Sequence, residues 1–264
     1  MFPILFKIPI FGGIPIYGYG LMVAGGFIIG TYYIKREAIR IGEDPNRALD
    51  LIFYILIAAL LGSRVLNVLV SEWDRFVANP LILFKIWEGG LVFYGGFLAS
   101  LLVSAWYFRR HKLPVWKYCD MFIPAVALGH SLGRIGCFFA GCCFGRPLLH
   151  NAWFALTFPD TVNSFAPPGV PLYPTQLMES ATEFLTFLFL ASMRKRKKFE
   201  GQLFALYLMI YAVLRSTIEY FRGDLDRGFV INPFLSTSQF ISILIFGAGL
   251  FVWMRNRKLF PVKG

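Results

Sequence analysis

The sequence predicts an all-α polytopic membrane protein, with seven transmembrane helices and a small extracytoplasmic cap, forming one domain over residues 1–264. Three observations carry this. The chain is 57% hydrophobic and only 16% charged, whereas a soluble domain carries roughly a quarter charged residues. Apolar segments of membrane length recur along it. Its basic residues crowd into alternate loops.

A helix that crosses a bilayer needs about 20 mostly apolar residues. Seven segments satisfy this: 14–34, 48–71, 89–108, 121–145, 176–193, 202–221 and 236–254. The first, third and last carry no charge. Asp50 and Arg64 interrupt the second, His130 and Arg134 the fourth, Glu179 and Glu183 the fifth, and Arg215 and Glu219 the sixth. Ahead of the first span, Pro3, Pro9 and Pro15 break up any early helix. No small-x-small cleavage site follows Lys7, so the chain is expected to be largely mature protein.

Of the 26 Lys and Arg residues, 17 fall in the alternate loops 35–47, 109–117 and 194–198 and in the tail from Arg255. The other loops hold six, and Arg64, Arg134 and Arg215 lie within spans. Lys/Arg excess marks the cytoplasmic side, which places the N-terminus outside and the C-terminus in the cytoplasm. That outcome needs an odd number of spans. The net charge of +11 lies in short runs between apolar segments, which suits phospholipid headgroups and topology and argues against nucleic acid as a partner. The loop from about 144 to 175 holds Pro147, Pro159, Pro167, Pro168, Pro171 and Pro174. It is expected to form an ordered cap of turns and short strands.

An ionisable group inside a span is costly and marks a functional site by default. Arg134 sits in GHSLGRIGCFFAGCCFGRP, residues 129–147. His130 lies four residues earlier, so both share a helix face and together offer donors to an anion. The bland alternative is that Arg134 neutralises a buried glutamate. Tyr211, Arg215 and Glu219 repeat at i, i+4 and i+8 and line one side of a helix; the bland alternative is that Arg215 and Glu219 simply pair with each other. Arg222 is expected at the outer interface, within reach of lipid phosphate. EGGLVFYGGFLAS, residues 88–100, flanks Tyr94 with paired glycines, which fits a site tyrosine or helix packing around a buried hydroxyl. In PTQLMES, residues 174–180, Gln176 and Glu179 open a span after a proline, a pattern that capping alone explains. Tyr17 and Tyr19 suit an interfacial aromatic belt. Arg64 and Asn67 have each other or a neighbouring helix as partners. Cys137, Cys142 and Cys143 follow C-x4-C-C, which is not a standard zinc arrangement; no metal is expected, and packing accounts for these cysteines.

The 129–147 segment closely resembles the signature of bacterial phosphatidylglycerol–prolipoprotein diacylglyceryl transferases. YGYGLM (17–22), GGLVFYGG (89–96), YPTQLMES (173–180) and the run from Gly201 to Asp224 resemble that family in the same order. The resemblance implies transfer of a diacylglyceryl group from phosphatidylglycerol to the lipobox cysteine of a prolipoprotein, the first step of lipoprotein maturation. It implies no cofactor, a bacterial cytoplasmic (inner) membrane location, and a site facing the outer leaflet. It assigns phosphatidylglycerol binding to Arg134 and importance to Tyr211, Arg215 and Glu219, and it matches Tyr19 to an N-terminal tyrosine of the family. Gly145, Arg146, Gln176 and Arg222 complete the expected lipid-binding set. Three positions depart from the pattern: many members have His in place of Tyr94, Asn in place of Cys137 and an acidic residue in place of Cys142. The general base is therefore open among His130, Tyr94 and Glu219. Two rival readings are a transporter with an arginine-lined anion path and a membrane thiol oxidoreductase. No repeated halves favour the first, and no C-x-x-C motif favours the second.

Overall fold

The computed structural model describes residues 4–8, 14–85, 89–149, 152–160, 165–223, 228–231 and 234–262. Pro3, Pro9, Glu88, Asp224 and Arg227 lie outside the described residues. The chain divides into two compact units, one of Met1–Tyr33 with Trp116–Gly264, the other of Ile34–Val115.

Each of the seven apolar segments falls on a long helix: α1 (Gly18–Arg40), α2 (Pro45–Ser71), α4 (Phe93–His111), α5 (Val115–Ala140), α6 (Thr175–Met193), α7 (Gln202–Glu219) and α8 (Thr237–Leu259). A short α3 (Trp73–Ala78) and a 3-10 turn (Pro80–Phe84) link α2 to α4. By length and composition α2, α5 and α8 are apolar enough to cross a membrane. The boundaries shift in three places. Residues 14–17 form a strand paired antiparallel with Ile4–Ile8, so α1 starts later and then runs on to Arg40. The fourth helix starts before Met121, and its apolar run stops at Ala140 because Gly141 takes a left-handed φ of 69°. The third begins at Phe93, after the positive-φ glycines Gly89 and Gly90.

Polarity is inverted relative to a water-soluble protein. Ile28, Phe53, Phe93, Leu102 and Leu185 are exposed, while Arg64, Asp120, Gln176, Glu179, Glu183 and Glu219 are buried. An apolar exterior over a charged interior suits lipid as the solvent, because buried charge must find its partners within the protein.

In the Ile34–Val115 unit, α2 and α4 pack backbone to backbone. A Cβ on Gly95 would stand 2.2 Å from the Gly62 carbonyl oxygen, and one on Gly96 would stand 2.4 Å from Ser63 Oγ. Small residues allow such approach between helices in lipid, so the paired glycines serve packing. Tyr94 beside them is 58% exposed, which removes the buried-hydroxyl reading. Arg64 is 1% exposed and held through its two terminal nitrogens: its guanidinium donates to Glu72 Oε1 at 3.1 Å, to the Gly89 carbonyl at 3.0 Å and to the Ile82 carbonyl at 2.8 Å, while Nε is buried without an acceptor among the described residues. Asn67 donates to the same Glu72 Oε1 at 2.7 Å.

In the other unit, α5 passes α1 through Gly26, where an added Cβ would meet Gly129 Cα at 3.3 Å, and through Gly136, where it would meet Tyr19 at 3.1 Å. At one end, Asp120 accepts from the α7 N-terminal amides of Gly201 and Phe204 at 2.9 and 3.0 Å and from Lys197 Nζ at 3.1 Å. A carboxylate there satisfies orphan amides and the helix dipole. Asn256 and the Phe199–Pro261 bridge tie the C-terminal segment to the same end. The basic run 194–198 and the end of α8 therefore gather together. At the opposite end of α5, the described part of the proline-rich segment contains a small hairpin. The short strands Leu156–Thr157 and Pro171–Leu172 pair over a core of Phe158, Ala166 and Leu172.

Candidate active site

Three helices of this unit converge on one buried cluster of charge. From α5, Arg134 Nη2 lies 2.8 Å from Glu179 Oε1 of α6. Arg134 Nε donates to His130 Nε2 at 3.3 Å, the i,i+4 contact that the sequence predicts. His130 Nδ1 in turn lies 3.3 Å from Glu183 Oε1, one turn further along α6. From α7, Tyr211 brings its ring within 5.7 Å of the His130 ring and stacks on Tyr207. One turn on, Arg215 Nη1 pairs with Glu219 Oε2 at 2.8 Å, and Arg215 Nη2 donates to Ser238 Oγ of α8 at 2.9 Å. The bland pairings considered for both arginines are thus present. They do not exhaust Arg134: its side chain is 15% exposed, against 5% for Glu179, and its contacts to Glu179 and His130 engage only two of its three nitrogens.

The segment that follows α5 is pinned against the end of α7. Arg146 N donates to the Phe221 carbonyl at 2.8 Å, Gly223 N to the Phe144 carbonyl at 3.2 Å, and Tyr173 N to the Arg146 carbonyl at 3.1 Å. Gly145 and Arg222 form a bridge within this weave. A Cβ on Gly145 would stand 2.4 Å from the Tyr173 carbonyl oxygen, which explains its glycine as backbone packing. The Arg146 guanidinium lies over the rings of Tyr173 and Phe221, at 5.5 and 5.9 Å. Arg222 and Arg134 fall within electrostatic range of each other.

Gln176 is 1% exposed and donates Nε2 to the Cys142 carbonyl at 2.9 Å. Thr175 Oγ1 donates to the Cys143 carbonyl at 3.0 Å. Both side chains fasten the segment that follows α5. Tyr19, 48% exposed at the start of α1, lies within electrostatic range of Arg134 and of the three cysteines. Of the expected site residues, the fold therefore assembles His130, Arg134, Tyr211, Arg215 and Glu219 with Tyr19, Gly145, Arg146, Gln176 and Arg222 around one end of this unit. Tyr94 belongs to the Ile34–Val115 unit.

Sequence reasoning missed Glu183 as the partner of His130 and saw Glu179 only as part of a helix start. The signal was their spacing: Gln176, Glu179 and Glu183 stand at i, i+3 and i+7, one face of α6. It also missed the sulfur cluster. The Sγ atoms of Cys137, Cys142 and Cys143 all lie within 4.8 Å of one another, although C-x4-C-C gave no metal reading.

Three helices long and apolar enough to cross a membrane, in a largely helical chain that buries a cluster of charge, mark a helical membrane protein. The prolipoprotein diacylglyceryl transferase family model matches residues 3–255. A phosphatidylglycerol–prolipoprotein diacylglyceryl transferase of Clostridium tetani is 35% identical over 257 residues, covering 97% of this chain and 98% of that protein. The enzyme numbered 2 of Clostridium perfringens is 34% identical over 245 residues, covering 93% of each. That of Chromohalobacter salexigens is 34% identical over 251 residues, covering 93% of this chain and 91% of that protein. The chain belongs to the prolipoprotein diacylglyceryl transferase family and is a transferase of lipoprotein biosynthesis.

Proposed function

We propose that this chain transfers the sn-1,2-diacylglyceryl group of phosphatidylglycerol to the lipobox cysteine of prolipoprotein signal peptides. The thiol sulfur attacks glycerol C3, the C–O bond to phosphate breaks, a thioether forms, and glycerol-1-phosphate leaves with the electron pair. The observation that carries this is Arg134, held by Glu179 and His130 just inside the cap yet still partly exposed. A guanidinium stays charged in apolar surroundings and presents a fixed fork of donors to phosphate. Charge held ready where the leaving phosphate develops its own is a large source of rate.

The other residues take graded roles in this reading. Arg215, oriented by Glu219 and Ser238, supplies a second positive charge. Arg222 and Arg146 meet the headgroup at the cap, with Tyr19 and Tyr211 beside it. Gln176 and Gly145 hold the cap in place. His130 positions Arg134, because its Nε2 lone pair accepts from that arginine. Tyr94 remains a candidate proton acceptor, as does Glu219.

The membrane setting follows from the same reading. All seven long helices cross the bilayer of the bacterial cytoplasmic membrane as one domain. The N-terminus and cap lie outside, the C-terminus lies in the cytoplasm, and the site opens to the outer leaflet. The gathering of the 194–198 basic run with the end of α8, opposite the cap, supports this orientation. The test is mass spectrometry of a lipobox peptide incubated with purified protein and phosphatidylglycerol. The expected result is a peptide heavier by one diacylglyceryl group with matching glycerol phosphate release. An unmodified peptide from folded protein would refute the proposal.

A further inference from the structure

We propose that Cys137, Cys142 and Cys143 form a three-thiolate zinc site whose open fourth position receives the lipobox thiol. The inference rests on the transfer reaction proposed above and gives it a route to thiol activation that needs no protein base.

The cluster arises from how α5 ends. Gly141 is left-handed, the Gly141 amide donates to the Phe138 carbonyl at 3.3 Å, and the Cys142 amide donates to the Cys137 carbonyl at 3.2 Å. These are the two hydrogen bonds of a Schellman motif, which brings the side chains at its C3 and C″ positions together. Here those positions are Cys137 and Cys142. Such a contact alone is ordinary packing. Cys143 adds a third thiol, and it does so from a φ of 58°, a conformation uncommon for a residue with a Cβ. The buried side chains of Thr175 and Gln176 hold the carbonyls of Cys143 and Cys142 at 3.0 and 2.9 Å. An unusual backbone conformation is thus held in place where the third sulfur joins the other two.

The dimensions suit zinc. Thiolates about 2.3 Å from a tetrahedral ion stand roughly 3.8 Å apart, and these sulfurs lie within 4.8 Å before any ion draws them in. Three protein ligands with one open position is the pattern of catalytic rather than structural zinc. Zinc with three thiolates carries one net negative charge. Arg134 and Arg222 both lie within electrostatic range of Cys143, which offsets that charge.

The chemistry fills a gap. His130 and Glu219 are both engaged with arginines. A thiol that binds zinc is deprotonated outright. The client S–H would lose its proton to solvent on binding the metal, and the sulfur would then attack glycerol C3 as the phosphate departs.

The experiment uses full-length protein in detergent, stripped with chelator and reloaded with zinc or cobalt. One zinc per chain is expected, lost in a Cys137→Ser/Cys142→Ser/Cys143→Ser variant. Cobalt-loaded wild-type protein should show thiolate charge-transfer bands that shift with a lipobox peptide and not with its cysteine-to-serine analogue, a readout independent of variant folding. A free thiol is only a few per cent ionised at neutral pH, so stripping should slow glycerol phosphate release roughly tenfold or more, with recovery on adding zinc. Metal no tighter in wild type than in the triple variant would overturn the site, as would a Cys142–Cys143 disulfide in the protein as isolated. Equal transfer by stripped and reloaded protein would overturn the inference and leave the transferase reading intact. If neither state transfers lipid, the reading of function fails, while a peptide-dependent cobalt spectrum would still uphold the metal–thiol contact.

Discussion

Arg64 and Arg134 are the same side chain in the same kind of place, an apolar helix, yet their surroundings differ. Arg64 gives its guanidinium to two backbone carbonyls and a carboxylate and is 1% exposed. Arg134 meets one carboxylate and one imidazole and is 15% exposed. The first is anchored to backbone and shut away; the second stays partly exposed. Charge in an apolar helix does not by itself separate a staple from a site. What separates them is access: neither partner set is complete, since Arg64 Nε is buried without an acceptor among the described residues, but only Arg134 of the two is partly exposed.

The largest expected contrast is between deleting these two arginines. Arg134→Ala should reduce lipid transfer by roughly 100-fold or more, read by peptide lipidation in phosphatidylglycerol vesicles. Arg64→Ala should instead lower stability by about 1–3 kcal/mol, because it leaves the Gly89 and Ile82 carbonyls without their donor while Glu72 keeps Asn67 and Arg75; denaturation in mixed micelles measures this, and the protein that stays folded should keep its transfer rate. Loss of activity without loss of stability in the Arg64 variant would erase the distinction. Next comes Glu179→Gln, which keeps shape but removes the negative charge that pairs with Arg134 at 2.8 Å. Transfer should fall by roughly ten- to 100-fold, mostly in kcat, as Arg134 loses its orientation. Gly95→Ala drives a Cβ into the Gly62 carbonyl, and overpacking of this kind costs about 1–3 kcal/mol. It should lower thermal stability. The smallest effect on stability belongs to Gly133→Ala, beside Arg134, where an added Cβ meets nothing within 4 Å. Helix propensity favours alanine there by up to about 1 kcal/mol, so the variant should be at least as stable. A fall in its transfer rate would mark that open space as the lipid's.

The sequence made local relations legible and distant ones not. Apolar length located the long helices, because a segment about 20 residues long with almost no charge has few other folds. Helical spacing joined His130 to Arg134, and Tyr211 to Arg215 and Glu219, since residues four apart must share a face. Family resemblance gathered the remaining candidates. The carboxylates that receive Arg134 and His130 were not legible, because α6 is brought against α5 by tertiary packing. Glu72 as the anchor of Arg64 was hidden for another reason: it sits beyond the helix end, where periodicity gives no direction. The sulfur cluster was missed because ligand spacings assume a regular loop, whereas here a helix terminus folds the chain back on itself.

The central claim is that the Arg134 guanidinium touches the phosphate of a bound phosphatidylglycerol. Solid-state phosphorus–nitrogen dipolar recoupling, on arginine-labelled protein in phosphatidylglycerol nanodiscs, reads that contact directly. The predicted result is a close phosphorus contact to a guanidinium nitrogen that disappears in Arg134→Lys while the remaining arginine signals persist. A wild-type spectrum without such a contact, or one that the lysine variant leaves unchanged, would contradict it.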